Sequence, residues 1–365
     1  MSATRPPFRA EHVGSLLRPL DLRQARLGAA TGKLSADDLR AIEDRAIRAA
    51  VAKQEAIGLR VVSDGEFRRD FWHLDFLRQL EGVGLAPVRG FKFQAEDVPP
   101  MPSVTGPVRC RGPIMADHFR YLKSVARATP KLTIPAPAML HVRGGRAAIS
   151  REHYPDLGPF WEDVAAAYRA AIAHVAAAGC TYLQLDDVSF SYICDPKIRE
   201  GLRAGGDDPA TLPRDYARAI DRALADRPAG MTVAMHTCRG NFRSTWLAAE
   251  PYDDAVVEAM FGTAVDAYLM EWDSERAGSF EPLRLLPAGK TVVLGLVTTK
   301  SGALESADTL KRRVDEAAHY VPLERLCLSP QCGFASTHHG NALTEDEQWR
   351  KLERVVEVSR AVWGD

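Results

Sequence analysis

The sequence predicts an α/β protein built as a single (β/α)8 TIM barrel, with one excursion between its second and third strands. Three observations lead there. Short apolar runs alternate with amphipathic stretches along all 365 residues, eight such runs are present, and no G-x-G-x-x-G opens a helix after the first of them. Regular alternation points to parallel β/α units, and eight units point to closure into a barrel. The missing glycine fingerprint removes the usual signature of an open dinucleotide-binding sheet.

Taken in order, the first seven residues, with two prolines, read as a loose tail. Strands are expected at 11–15 (EHVGS), 59–65 (LRVVSDG), 131–140 (KLTIPAPAML), 181–187 (TYLQLDD), 231–236 (MTVAMH), 267–272 (AYLMEW), 291–297 (TVVLGLV) and 325–330 (RLCLSP). Between the first two strands, residues 35–58 place Leu39, Ile42, Ile47, Val51 and Ile57 at roughly helical spacing behind Ser35, an N-cap residue. FWEDVAAAYRAAIAHVAAAG and TEDEQWRKLERVVEVSRAVWG have the same character. The Pro- and Gly-rich stretch FKFQAEDVPPMPSVTGPVRCRGP lies within the expected excursion, a hairpin or loop over 85–130 covering the barrel mouth. Residues 1–365 are otherwise expected to form one domain, with no second core and no internal repeat.

Composition narrows the partners. With 46% hydrophobic and 26% charged residues the chain has ample material for a core, which argues against disorder. The formal net charge is −1 and no basic block is present, so nucleic acid and anionic membranes leave no electrostatic footprint and a small molecule is the expected partner. No apolar run reaches the roughly 18 residues of a membrane span, and the N-terminus lacks the apolar core of a signal peptide, so a cytoplasmic location is expected. Six cysteines are too sparse for a disulfide framework and suit a reducing compartment, which leaves some of them available as metal ligands. Oligomeric state is not legible.

Polar residues gather at the C-terminal ends of the expected strands: Ser15, Asp64, Glu66, Asp186, Asp187, His236, Cys238, Glu271 and Cys332. That is the end of a barrel where active sites are built. His236 and Cys238 alone read best as a capping histidine and a small buried thiol. Glu271 and Cys332, at equivalent strand ends, reverse that preference. One imidazole, two thiolates and a carboxylate form a borderline-soft donor set suited to tetrahedral Zn²⁺, whereas Mg²⁺ or Ca²⁺ would call for oxygen donors. Cys110, Cys180, Cys194 and Cys327 keep a structural reading.

HTCRGNF, the glutamate of LMEWDSERAGSF and LSPQCGFAST resemble the zinc-binding segments of the cobalamin-independent methionine synthase family, specifically its C-terminal catalytic barrel. HVGSLLRP, SDGEFRRDFW and QLDDVSF resemble that family's homocysteine-site segments, and the six motifs keep their order over essentially the whole chain. The likeness is to the short, single-barrel branch. It implies that His236, Cys238, Glu271 and Cys332 are zinc ligands. It also implies that Ser15, Glu66 and Asp186 bind a thiol amino acid, Glu66 and Asp186 doubling as catalytic residues. The chemistry agrees: an α-ammonium calls for carboxylates, and an α-carboxylate calls for a hydroxyl and backbone N–H donors. Without the resemblance, helix capping or pairing with Arg68 or Arg69 would explain Glu66 and Asp186 equally well.

The resemblance implies methylation of homocysteine to methionine, as in a 5-methyltetrahydropteroyltriglutamate–homocysteine methyltransferase. The zinc serves as thiol activator: the bound thiol loses its proton and attacks an electrophilic carbon. Two segments depart from the family pattern. Val142 stands where folate-using members carry a pterin-stacking tryptophan, and Thr298 and Lys300 stand nearest their Asp-x-His proton relay. Lys300 reads as an anion contact or a solvated residue before the next helix. His12, His141, His338 and His339, near mouth loops, read as structural or exposed. The methyl donor is therefore open, with a methylated corrinoid protein or a simpler methylated compound as alternatives to folate. Two further readings are an epoxyalkane:coenzyme M transferase-like thiol alkylation and a metal-free barrel lyase or decarboxylase.

Overall fold

The computed structural model describes residues 5–86 and 100–364. Two helices, α1 (Leu20–Ala30) and α2 (Ala36–Ala56), precede a short strand β1 (Val61–Val62) and a single helical turn, α3 (Leu74–Leu77). There follow β2 (Glu81–Ala86), β3 (Met101–Arg109), α4 (Ala116–Val125), β4 (Thr129–Pro130) and β5 (Leu132–Pro135). From there strands and helices alternate: α5 (Leu157–Ala177), β6 (Tyr182–Asp187), α6 (Ser189–Cys194), α7 (Pro196–Ala204), α8 (Leu212–Leu224), β7 (Thr232–Thr237), α9 (Asp254–Phe261) and β8 (Ala267–Glu271). The chain ends with β9 (Thr291–Val297), α10 (Ala307–Ala318), β10 (Leu326–Pro330) and α11 (Glu345–Trp363).

The main sheet is parallel and follows chain order, β10-β9-β8-β7-β6-β5, as expected when each strand is followed by a crossover. β1 and β4 form a second parallel pair, and the Lys131 amide donates to the Val62 carbonyl at 2.8 Å, carrying that pairing into β5. At the other edge Ala10 bridges Leu328, with Glu11 N–H donating to the Leu328 carbonyl and Leu328 N–H to the Arg9 carbonyl. Leu16 N–H reaches the Gly65 carbonyl at 3.0 Å.

The strand expected at 11–15 is the one that does not form. Only the bridge at Ala10 is present, because side chains take over the carbonyls a neighbouring strand would have engaged. Gln184 Nε2 donates to the Val13 carbonyl at 2.6 Å, and the Lys131 ammonium holds that of His12. The run at 131–140 is also cut short: β5 stops at Pro135, and a 3₁₀ turn follows at Pro137–Leu140, since prolines cannot donate to a ladder.

The helices follow their sequence signals. Ser35 caps α2 by accepting from Asp38 N–H, and Ile47 and Val51 face the core while Leu39 and Ile42 are half-buried. The capping box at α11 pairs Thr344 with Glu347. α5 buries Phe160, Trp161, Val164, Tyr168, Ile172 and Val175. Each such side chain contributes about 1.5–3 kcal/mol. Of the expected tail, residues 1–4 lie outside the described residues, whereas Pro7 is already buried. The span 85–130 holds β3, the last two residues of β2, and α4 and β4, whereas the antiparallel β2–β3 pairing itself starts at Glu81, ahead of the expected bound. Its portion 87–99 lies outside the described residues.

Candidate functional site

β7 delivers His236 near its end and Cys238 just beyond it, β8 ends on Glu271, and Cys332 follows β10 by two residues. Parallel register does the rest: Asp186 pairs with His236, and Leu269, two residues before Glu271, pairs with the same histidine. Ligand atoms of His236, Cys238, Glu271 and Cys332 all lie within 4.8 Å of one another, and all four residues are buried.

The surroundings orient each donor. His236 Nδ1 lies 3.1 Å from the Leu269 carbonyl, which fixes the proton on Nδ1 and leaves Nε2 buried and without a hydrogen-bond partner. Cys238 Sγ accepts from Gly240 N–H at 3.3 Å and from Asn241 at 3.6 Å, and lies 3.8 Å from Cys332 Sγ, well beyond a disulfide bond. Gly240, at φ 76, makes this turn, and a Cβ there would collide with the Tyr192 ring. Glu271 Oε1 accepts from Asn241 Nδ2 at 2.6 Å and Arg239 N–H at 3.1 Å, while Oε2 meets Arg276 at 3.0 Å.

The electrostatics ask for a cation. Burial pushes the Glu271 carboxyl up, and the neighbouring Cys238 pushes it further. The hydrogen bond from Cys332 holds Cys238 well below the usual thiol range and raises Cys332 in turn. Burial alone would lower His236, yet Cys238, Asp186 and Glu271 bring it up to about 9. An unpartnered imidazole nitrogen facing two thiols and a carboxylate fits a soft divalent ion.

His236, Cys238 and Cys332 of the cluster form one wall of a small pocket that also meets Ser15, Glu66, Trp72, Asp186 and Ser336. Glu66 adopts φ 60, a left-handed conformation that is strained for a side chain of this size. Its Oε1 accepts from Thr133 Oγ1 at 2.8 Å and lies 3.7 Å from Arg69, but Oε2 is buried without a partner. Burial raises its carboxyl despite Arg69. Burial likewise raises Asp186 to about 7, against the pull of His236 and with a push from Glu66. Gln184 Nε2 donates to Asp186 Oδ1 at 2.7 Å. Ser15 Oγ accepts from Ala335 N–H at 3.3 Å and packs where a side chain at Gly333 would stand. Two carboxylates share a small buried space here, an arrangement that favours an ammonium group between them.

Every residue singled out for metal or thiol binding therefore lies in this one place. Asp64 and Asp187 do not act there: Asp64 accepts from Glu66 N–H, and Asp187 accepts from Ser189 and Phe190 N–H at the start of α6. Lys300 is not solvated; its side chain is 10% exposed and meets Asp273 at 3.1 Å. Val142 is fully buried. Cys110, Cys180 and Cys194 place their sulfurs against the carbonyls of Gly112, Tyr182 and Phe190. His141 is buried against Tyr216 and Asp207, His12 is buried, and His338 is exposed. Sequence reasoning missed Trp72, Ser336, Asn241 and Arg276. All four lie inside motifs already quoted, Trp72 at the end of SDGEFRRDFW and Arg276 within LMEWDSERAGSF, but only the folded chain shows which of their neighbours they meet.

A second, larger cavity of about 1060 Å³ lies alongside, touching Met101, Arg143, Lys197, Leu202, Asp207 and Leu247. No aromatic side chain is among its described lining residues. Arg143, on its wall, reaches His73 at 3.1 Å, and His73 packs on Trp72 of the small pocket.

Fold and site together define an α/β protein that presents a buried His–Cys–Glu–Cys cluster, a possible metal site, at the ends of parallel strands. The family model described as the catalytic domain of cobalamin-independent synthase matches residues 8–360, and the chain belongs to that family. Membership places it among methyltransferase-type enzymes connected with methionine biosynthesis, a family that is metal-dependent. Among its relatives is the uncharacterized protein YxjH of Bacillus subtilis, 46% identical over 98% of this chain and 96% of that one. The methionine synthase of Saccharolobus solfataricus is 24% identical, covering 96% of this chain and 93% of its own. A crystal structure described as a putative vitamin-B12 independent methionine synthase from Listeria monocytogenes superposes with a TM-score of 0.77, 36% identity and complete coverage of both chains. Among the described residues no helix is long and apolar enough to cross a membrane.

Proposed function

We propose that this protein is a zinc-dependent S-methyltransferase that converts homocysteine to methionine. The observation carrying this reading is the unpartnered, buried Oε2 of Glu66 beside Asp186 in the pocket lined by His236, Cys238 and Cys332, three members of the cluster that Glu271 completes. Zinc, when bound, takes up a thiol as its thiolate and so supplies a nucleophile at neutral pH.

The chain's own residues do the rest. His236, Cys238, Glu271 and Cys332 hold the ion. Glu66 and Asp186 grip the substrate ammonium, and Ser15 with nearby backbone N–H groups faces its carboxylate, so the side chain of a short thiol amino acid points at the cluster. Trp72 walls the pocket against water. None of the small pocket's described lining residues is Arg or Lys. That supports an aminated substrate over a sulfonated thiol such as coenzyme M, and the clustered ligands speak against a metal-free lyase.

The methyl donor is assigned to the larger cavity. Among the described residues its lining carries no aromatic ring, which supports a donor other than a stacked pterin, either a methylated corrinoid protein or a simpler methylated compound. We further read the strand neighbours, from Ala10 beside β10 round to β1 and β4, as one barrel closed over a single domain, the β2–β3 hairpin lying at its mouth, and we place the protein in the reducing cytoplasm, where its six cysteines, none of them in a disulfide, are at home.

The test is to measure zinc in the purified protein and follow its coordination by X-ray absorption as homocysteine is added. One further sulfur in the zinc shell, with release of a proton, is the expected result. An unchanged shell would rule the reading out. Methyltetrahydrofolates, methylcobalamin and simple methyl donors, supplied in parallel, identify the second substrate.

A further inference from the structure

One glutamine joins the two ends of the amino-acid site. Tyr182, Gln184 and Asp186 share a face of β6, because side chains alternate along a strand. The Gln184 amide nitrogen donates to Asp186 Oδ1 at 2.7 Å and to the Val13 carbonyl at 2.6 Å. Asp186 stands at the ammonium end of the site, and Val13 lies two residues before Ser15, at its carboxylate end. Both N–H groups of the amide are spent, one on each end.

An amide that turns over would exchange its oxygen for its nitrogen, and Lys131 prevents this. An ammonium only donates, and Lys131 Nζ meets Gln184 Oε1 at 2.9 Å, so the oxygen faces Lys131 and the nitrogen faces Asp186 and Val13. The other two donors of Lys131 go to the His12 carbonyl and, at 3.1 Å, to Glu11 Oε2. Glu11 Oε1 accepts in turn from Phe8 N–H at 3.2 Å and from the Tyr182 hydroxyl at 3.1 Å. Glu11, Lys131 and Gln184 are at most 1% exposed, so water does not compete for these bonds. A buried ion pair is seldom more stabilising than packed apolar side chains, and stability alone gives no reason for a charge pair here.

We propose that Lys131 and Gln184 are positioning residues that fix the spacing between Asp186 and Ser15, and so select a thiol carrying both an α-amino and an α-carboxylate group. The proposal rests on the function proposed above. Neither residue is among the described lining of the small pocket, so both act through others. Lys131 sets the amide, and the amide sets the distance between the two ends. Without it Asp186 turns to other partners and the segment 11–15 loses the donor that stands in for a strand ladder. A ligand gripped at both ends then loses affinity, whereas one gripped at a single end follows the end it holds.

The test is calorimetric binding to the full-length protein loaded with zinc, using homocysteine, γ-mercaptobutyrate, which lacks the amine, and homocysteamine, which lacks the carboxylate. In Gln184→Met, homocysteine binds about 10- to 100-fold more weakly while each truncated thiol changes by less than about threefold and zinc content stays at the wild-type level. The double variant Glu11→Gln/Lys131→Met leaves no lone buried charge. It shows the same loss of selectivity, reduced to several-fold, and decides the matter should Gln184→Met not fold. Equal losses for all three thiols, loss of zinc, or unchanged homocysteine binding would overturn the proposal and leave the proposed function standing. Wild-type protein that binds homocysteine no better than γ-mercaptobutyrate brings down both.

Discussion

The small pocket and the large cavity are neighbours built by different means. Around the pocket, Asp186, His236 and Glu271 sit on the last residues of adjacent parallel strands, and Cys238 and Cys332 follow within two residues of a strand end. The cavity is walled by the β2–β3 excursion at Met101, by Arg143, by α7 at Lys197 and Leu202, and by the loop carrying Leu247. A hydrogen-bonded sheet holds side chains within the tolerance that ligation requires, whereas loops and short helices can change shape without disturbing it. The difference teaches where this chain is constrained. On the function proposed above, the chemistry is written on the sheet, and the choice of second substrate is left to what surrounds it.

The strongest way to break the comparison is to attack the sheet side. Cys332→Ala removes one ligand of four, so metal is lost and activity falls by about 10³-fold or more while the far-ultraviolet circular dichroism stays native. Metal analysis beside the spectrum checks this, and retained metal would mean that Cys332 is not a ligand. Glu66→Gln comes next. It keeps the shape and removes one charge-assisted contact, so KM for homocysteine rises about 10- to 100-fold with metal content unchanged. On the cavity side Leu247→Trp fills space without touching the cluster. KM for the methyl donor rises several-fold while homocysteine affinity stays within about twofold, and steady-state kinetics with each substrate varied in turn separates the two.

The smallest effect is on stability, and the two regions respond to pH with opposite sign. Asp186 is raised to about 7 from its ordinary value of 3.8, chiefly by burial, so the native state binds this proton more tightly than the unfolded chain. Its contribution is fully present below the unfolded value and is lost as pH rises through about 7. Asp207, on the cavity wall, goes the other way. Burial would raise it, but the hydrogen bond to His141 and the Arg146 N–H hold it below 3.8. Its contribution is present above that value and is lost as pH falls further. Denaturant titrations of the metal-free protein test both signs. Relative to wild type, Asp186→Asn should gain stability from pH 4 to 7, and Asp207→Asn should lose its disadvantage only in acid.

Much of the sheet side was legible before folding. His236 and Cys238 follow an apolar run, and Glu271 and Cys332 occupy equivalent places after theirs, so strand periodicity alone puts them at one end of a parallel sheet. The helix cap at Ser35 was legible for a local reason, a side chain bonding a backbone amide three residues on. The missing strand at 11–15 was not. EHVGS has the composition of a strand, but Lys131 and Gln184, more than a hundred residues away, take the carbonyls a ladder needs. Of the two readings of Lys300, an anion contact or a solvated residue, the solvated one fails for the same reason, since only the fold brings Asp273 to it.

The sequence by itself determined which donors this protein can offer and roughly where along the chain they stand, because ligand chemistry and strand periodicity are local properties. Only the tertiary structure decided that Glu66 Oε2 and His236 Nε2 are left without partners while Glu271 is fully held by Asn241, Arg239 and Arg276. Whether a buried polar atom is satisfied depends on every element packed around it, and that is settled only when distant strands and loops meet.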